Sequence, residues 1–163
     1  MLKQVFKVIL CTFLVLVIFA GCASKEYSND AVVEVKESAV ESEYKIGTKT
    51  VPEFLSRCRE FIEAVYAPKD AKEFKGVASE YEDIVSNVCA KQLTKTSVEL
   101  TGVDFSNTIK FNSEKYGYSQ HQEDGNRKIL YNIDVSQSGL TWNIFIELNI
   151  DETSGKIYDI NVW

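Results

Sequence analysis

Apolar residues follow three different rhythms along this chain. Residues 8–21 carry no charge, and Thr12 is their one clearly polar side chain. From Thr50 the spacing becomes helical, with Phe54, Leu55, Cys58, Phe61, Ile62 and Val65 on one stripe. Thr50-Val51-Pro52-Glu53 offers a capping box with proline in the first turn. This helix is predicted to end near Tyr66, because Pro68 follows. Asp70 and Glu73 repeat the capping logic for a short second helix, which Gly76 is expected to break. Ser79 and Glu82 predict a third start, with Tyr81, Ile84, Val85, Val88 and Cys89 as its apolar stripe.

After Leu93 the period falls to two, the signature of strands with one buried face. Val98 and Leu100 alternate with polar residues, and so do Ile109 and Phe111. Ile129, Tyr131, Ile133 and Val135 follow. Leu140, Trp142, Ile144, Ile146, Leu148 and Ile150 then give the cleanest alternation, and Tyr158, Ile160 and Val162 close the series. Glu123-Asp124-Gly125-Asn126, Gln137-Ser138-Gly139 and residues 151–155 are turn chemistry between these runs. Connections this short force antiparallel pairing. The predicted fold is α+β, with N-terminal helices packed on the apolar face of a curved antiparallel β-sheet meander.

The first rhythm has a different meaning. Lys3 and Lys7 precede the uncharged run, which at 14 residues is shorter than the ~20 apolar residues a membrane-spanning helix needs. A basic start followed by an apolar run of this length reads as a signal peptide. The run ends in Phe19-Ala20-Gly21-Cys22, where Ala20 and Gly21 are small enough for a peptidase to reach the backbone. This pattern resembles the lipobox of bacterial lipoproteins, although Phe19 stands where that family usually has an aliphatic residue. The resemblance implies cleavage before Cys22, a diacylglyceryl group on its thiol, and a place on the extracytoplasmic face of the cell membrane. Two or three acyl chains anchor firmly, since each buried CH₂ contributes about 0.8 kcal/mol and one chain alone is marginal.

Composition sharpens this division. Residues 22–49 mix six acids, four lysines and four serines with scattered valines, and such a stretch reads as a flexible tether. Residues 50–163 then form a single α+β domain, with nine Phe, eight Tyr and two Trp in the chain to supply its core. Loss of Lys3 and Lys7 with the leader shifts the net charge from −6 to −8. An acidic chain with no basic block argues against nucleic-acid binding, which needs clustered Lys and Arg. It also leaves membrane attachment to the lipid.

Helices followed by a curved meander resemble the nuclear transport factor 2-like (cystatin-like) superfold. Within it, the order is most similar to the assembly-factor domains of type IV secretion and conjugation systems and their Gram-positive counterparts. The residues carrying this are Phe61-Ile62-Glu63-Ala64-Val65-Tyr66 in the first helix and Gly155-Lys156-Ile157-Tyr158-Asp159-Ile160 in the final hairpin.

Catalytic chemistry is thinly represented. The one histidine, His121, lies in a polar stretch that reads as a hairpin loop, without the partner and shielding a general base needs. There is no Gly-x-Ser-x-Gly turn, no Cys-x-x-Cys, no full calcium-loop spacing and no Gly-rich phosphate loop. No cofactor or metal is expected, and the chain does not read as an enzyme. Cys58 and Cys89 lie on two helical stripes, and export would permit a disulfide between them as an alternative to two buried thiols. Some folds of the resembled kind enclose a pocket between sheet and helix, and here Tyr66, Tyr81, Tyr131 and Trp142 would line one. Asp134 and Glu147 fall on the polar face by alternation. Phe145, Ile157 and Trp163 are apolar residues expected on that same outer face, where a patch would mark a partner surface. The expected function is a membrane-anchored, non-enzymatic interaction domain, a subunit or accessory of an envelope assembly such as a conjugative transfer channel. A lipid-anchored small-molecule binder and an immunity or exclusion lipoprotein fit the same residues. The partner and the oligomeric state are not legible in the sequence.

Overall fold

A computed structural model describes residues 44–118 and 126–163. Thr50 starts the first long helix, α1 (Val51–Tyr66). The Glu53 carboxylate accepts both the backbone N–H and the hydroxyl of Thr50, each at 2.8 Å, so the N-terminal turn does not hang open. Its buried face is the expected stripe of Phe54, Cys58, Phe61, Ile62 and Val65. Asp70 caps α2 (Ala71–Glu80), its carboxylate accepting the N–H groups of Lys72 and Glu73 at 2.8 Å.

The helices after that point differ from the sequence expectation. Gly76 does not break α2, which runs through it to Glu80; a helical glycine costs only about 1 kcal/mol relative to alanine. The third helix, α3 (Asn87–Thr101), begins at Ser86, whose hydroxyl oxygen accepts the Cys89 N–H at 3.2 Å. Val98 and Leu100, read above as a strand, lie in its last turns. Its hidden face is Cys89, Ala90, Leu93, Ser97 and Thr101, a helical spacing in which the inner positions are small or hydroxylated. Ser97 donates to the Val65 carbonyl of α1 at 3.1 Å, and Thr101 donates to the Ser97 carbonyl at 3.0 Å. Polar residues on the inside hid the true period.

Four strands complete the fold in the order β3-β4-β5-β6: β3 (Thr108–Tyr118), β4 (Asn126–Gln137), β5 (Leu140–Asp151) and β6 (Lys156–Val162). All neighbours pair antiparallel. Three helices beside a curved antiparallel sheet confirm the α+β class. Ile129, Tyr131, Ile133 and Val135 of β4 and Ile144, Ile146, Leu148 and Ile150 of β5 are buried in one core with the inner faces of α1 and α3.

Two bulges reset the alternation. On β3, Phe111 opposes Ile133 but Ser113 opposes Asn132, so Asn112 is the extra residue. That slip turns Glu114 to the side of Tyr131, its partner across the sheet. On β6, Ile157 opposes Ile150 and Asp159 opposes Asn149, leaving Tyr158 as the extra residue. Ile157 is consequently buried and Tyr158 exposed. An extra residue inverts every later side chain.

The folded part begins before Thr50. β1 (Lys45–Ile46) and β2 (Lys49–Thr50) form a small ribbon with Ile46 in the core. Gly47, at φ +58°, donates its N–H to the Glu152 carbonyl at 2.9 Å. A side chain on Gly47 would lie 2.9 Å from the Cα of Gly155. Residues 44–49, expected to belong to the tether, are therefore part of the folded domain, and the rest of that expected stretch lies outside the described residues.

Candidate functional site

The outer face of the sheet carries a ladder of carboxamides. Asn112 donates to Asn132 at 2.9 Å, and Asn143 donates to Asn132 at 2.9 Å and to Asp134 at 2.8 Å. Nearer β6, Asn149 and Asn161 both donate to Glu147 and Asp159 at 3.2–3.4 Å. Lys128 pairs with Glu147 at 3.3 Å. Hydrogen bonds from Asn143 and Asn112 hold the Asp134 carboxyl below its ordinary value. Asp134 and Glu147 thus lie on the polar face, and neither is a buried base.

Into this polar face is set one aromatic pair. Phe145 and Trp163 stack with ring centroids 6.1 Å apart and planes 8° from parallel. Their backbones exchange two hydrogen bonds, of 2.9 and 3.1 Å. Phe145 is half-buried and Trp163 is 61% exposed. The third residue expected on this patch does not belong to it: the β6 bulge buries Ile157, whose N–H donates to the Ile84 carbonyl at 2.7 Å.

The four residues expected to line a pocket divide between core and rim. Tyr66, Tyr81 and Tyr131 are buried, and Trp142 is half-buried against the core. Tyr81 stacks at a tilt on Phe61, 5.5 Å between centroids, beneath the Arg57 guanidinium at 4.1 Å. Burial pushes its phenol up to about 12. Phe111 meets Tyr131 edge-on at 5.6 Å. These rings fill space between helix and sheet.

Cys58 and Cys89 are both buried free thiols, so the disulfide considered above is not formed. Cys58 faces the sheet from the middle of α1, while Cys89 sits in the first turn of α3. Burial, reinforced by the Glu114 charge, pushes the Cys58 thiol well above its ordinary value, which makes it a poor nucleophile. Glu114 is held by Arg59 of α1 through two parallel bonds of 2.6 and 2.7 Å. This fork ties helix to sheet at the place the β3 bulge turned inward.

Compared with known proteins, the chain matches no family model, no curated sequence and no solved structure. Among the described residues no cluster of three or more His, Cys, Asp or Glu could hold a metal, and no helix is long and apolar enough to cross a membrane. Phe19, Ala20, Gly21, Cys22 and His121 lie outside the described residues.

Two features escaped the sequence reading. Arg127 is buried between the rings of Tyr44 and Tyr116, 4.3 and 5.1 Å from their centroids, and pairs with Glu152. The Tyr44 hydroxyl donates to the same Glu152 at 2.8 Å, so the point where the chain enters the domain is clamped. The second is a groove of about 510 Å³ between α2 and α3, floored by Phe74, Ala78 and Val98 and rimmed by Lys75, Lys91 and Lys95. Once α3 is recognised as starting at Ser86, Lys91 and Lys95 fall one turn apart, and that spacing was the missed signal.

Proposed function

We propose that this protein is a lipid-anchored, non-enzymatic module of a bacterial cell envelope whose folded part binds another protein. The observation that carries the reading is the uncharged run at 8–21 closed by Phe19-Ala20-Gly21-Cys22. A thioether-linked lipid on Cys22 would hold the chain on the extracytoplasmic face of the cell membrane. The stacked Phe145 and Trp163 support a docking role, because an exposed tryptophan backed by a half-buried phenylalanine in an otherwise polar face is the kind of anchor that interfaces use. Three helices followed by a four-stranded antiparallel meander are the order on which a cystatin-like, nuclear transport factor 2-like assignment rests. Within it we favour a role like that of assembly factors in secretion or conjugation channels. Binding is favoured over catalysis because the Cys58 thiol is sealed in the core and the outer-face carboxylates are occupied by asparagines.

Replacing Cys22 with serine tests the anchor. The expected outcome is loss of metabolic palmitate labelling, retention of the leader, and no mature lipidated form. Undiminished labelling of the Cys22→Ser protein would sink the reading. Phe145→Ala with Trp163→Ala should weaken chemical cross-linking to envelope proteins in the producing cell while the melting temperature stays close to that of the parent. Unchanged cross-linking would remove this face from the interaction.

A further inference from the structure

The groove between α2 and α3 combines two properties rarely left bare together. Its floor of Phe74, Ala78 and Val98 is apolar, and its rim carries three lysines, Lys75, Lys91 and Lys95, against one acid, Glu99, in a chain of net charge −6. Among the described residues neither Lys75 nor Lys91 has an ion-pair partner. Lys95 meets only Glu99 of its own helix at 3.7 Å, both side chains well exposed, a pairing that contributes little. The groove is open to solvent, which suits a chain segment better than an enclosed small molecule. An occupant must bring apolar side chains and carboxylates at close intervals.

The stretch entering the domain has that chemistry. Residues 32–43 contain Val32, Val33, Val35, Ala39 and Val40, interspersed with Glu34, Glu37, Glu41 and Glu43 against the single Lys36. We propose that this stretch folds back along its own domain and occupies the α2–α3 groove, its glutamates on the three lysines and its valines on the apolar floor.

Reach supports the assignment. The Tyr44 carbonyl accepts the Val51 N–H at 3.3 Å, so the chain enters beside the start of α1. From that same end Lys49 pairs with Asp83 at 3.0 Å, and Arg57 donates to the Glu80 carbonyl at 2.6 Å. The first half of α1 and the strand before it therefore lie beside the C-terminal end of α2, the helix that carries Ala78 and Lys75. Twelve residues span up to roughly 40 Å extended or about 18 Å as a helix. Being tethered, the segment sits at an effective concentration on the order of millimolar, so modest contacts suffice. Docking hides the lysine rim until an acidic partner segment displaces it. The inference does not depend on the lipid anchor.

A carbodiimide joins a carboxylate to an ammonium only where the two touch, so it reads this contact directly. The full-length chain in mild non-ionic detergent is treated, digested and mapped by mass spectrometry. Expected are intramolecular links from Glu34, Glu37 or Glu41 to Lys75, Lys91 or Lys95, independent of protein dilution and suppressed by high salt. Lys75→Glu, Lys91→Glu and Lys95→Glu combined remove the amines and with them every such link, so the decisive comparison is with the charge-exchanged chain. Adding Glu34→Lys, Glu37→Lys and Glu41→Lys should restore links with the signs exchanged. All these side chains on the domain are exposed, so the fold should be retained, and circular dichroism checks it. Links scattered over Lys110 and Lys115, links found only between copies, or no recovery in the exchanged variant would each overturn the proposal.

Discussion

Arg59 and Glu114 show how a single pair can be set by something neither residue encodes. By strict alternation from Phe111, Glu114 would face solvent; the extra Asn112 turns it inward, where its side chain is only 16% exposed. Arg59, itself 52% exposed, supplies the fork that satisfies both oxygens of this carboxylate. Arg59→Ala strands a largely buried acceptor and should lower stability by about 1–3 kcal/mol. Arg59→Met with Glu114→Met should recover most of that loss, since replacing both members of such a pair by apolar groups of similar size is often neutral. Urea unfolding of the three variants decides it. If the double variant is the least stable, the pair does more than cancel its own desolvation.

At the scale of elements, the junction between the β1–β2 ribbon and the β5–β6 turn depends on two glycines in contact. Gly47 at φ +58° and Gly155 at φ +65° approach so closely that a Cβ on either would lie 2.9 Å from the other's Cα. Gly139, at φ +84°, has open space around it. Gly139→Ala should cost about 1–2 kcal/mol, the penalty of a left-handed backbone alone. Gly47→Ala carries that penalty and a backbone clash besides, so it should cost clearly more and loosen the ribbon that the Tyr44–Arg127–Glu152 clamp holds. The comparison is made by urea midpoints and by hydrogen exchange at Ile46. Equal costs for the two substitutions would show that the ribbon gives way without consequence. Of the elements themselves, α1, β5 and most of β4 were legible, because their buried faces are apolar apart from Arg127; β6 was legible as a strand, but its inner face was not. The start and length of α3 were not, because Ala90, Ser97 and Thr101 fill its inner face.

For the whole molecule, stability should fall on both sides of a broad plateau. Asp70, Asp104 and Asp151 are held below their ordinary value of 3.8 by neighbouring N–H and O–H donors. Their contribution is present above that value and is lost as pH falls through the lowered folded-state values. Cys58, Tyr66, Tyr81 and Tyr131 are raised, in each case by burial first. Their contribution is complete below the ordinary thiol and phenol values of 9.0 and 10.0. It disappears as pH rises from there towards the raised values, about 12 for Tyr81. Urea midpoints measured from pH 2 to pH 11 should therefore decline below about pH 4 and again above about pH 9. A midpoint still level at pH 11 would mean that these rings and the thiol are open to solvent.

The periodicity of this chain was enough to determine an α+β class, the first helix with its cap, and the antiparallel meander. Those features follow from local rules, since a repeat of 3.6 or 2 residues states which face is buried whatever it is buried against. Placement of particular side chains was decided in three dimensions. Ile157 left the outer face and Glu114 joined the inner one because each lies beside a bulge, Ile157 just before Tyr158 and Glu114 just after Asn112. Phe145 and Trp163 came together only through pairing of β5 with β6, and the lysine rim exists only where α2 lies beside α3. One extra residue in a strand reverses everything after it, and nothing in the local pattern announces that residue. Only the pairing partner across the sheet reveals it.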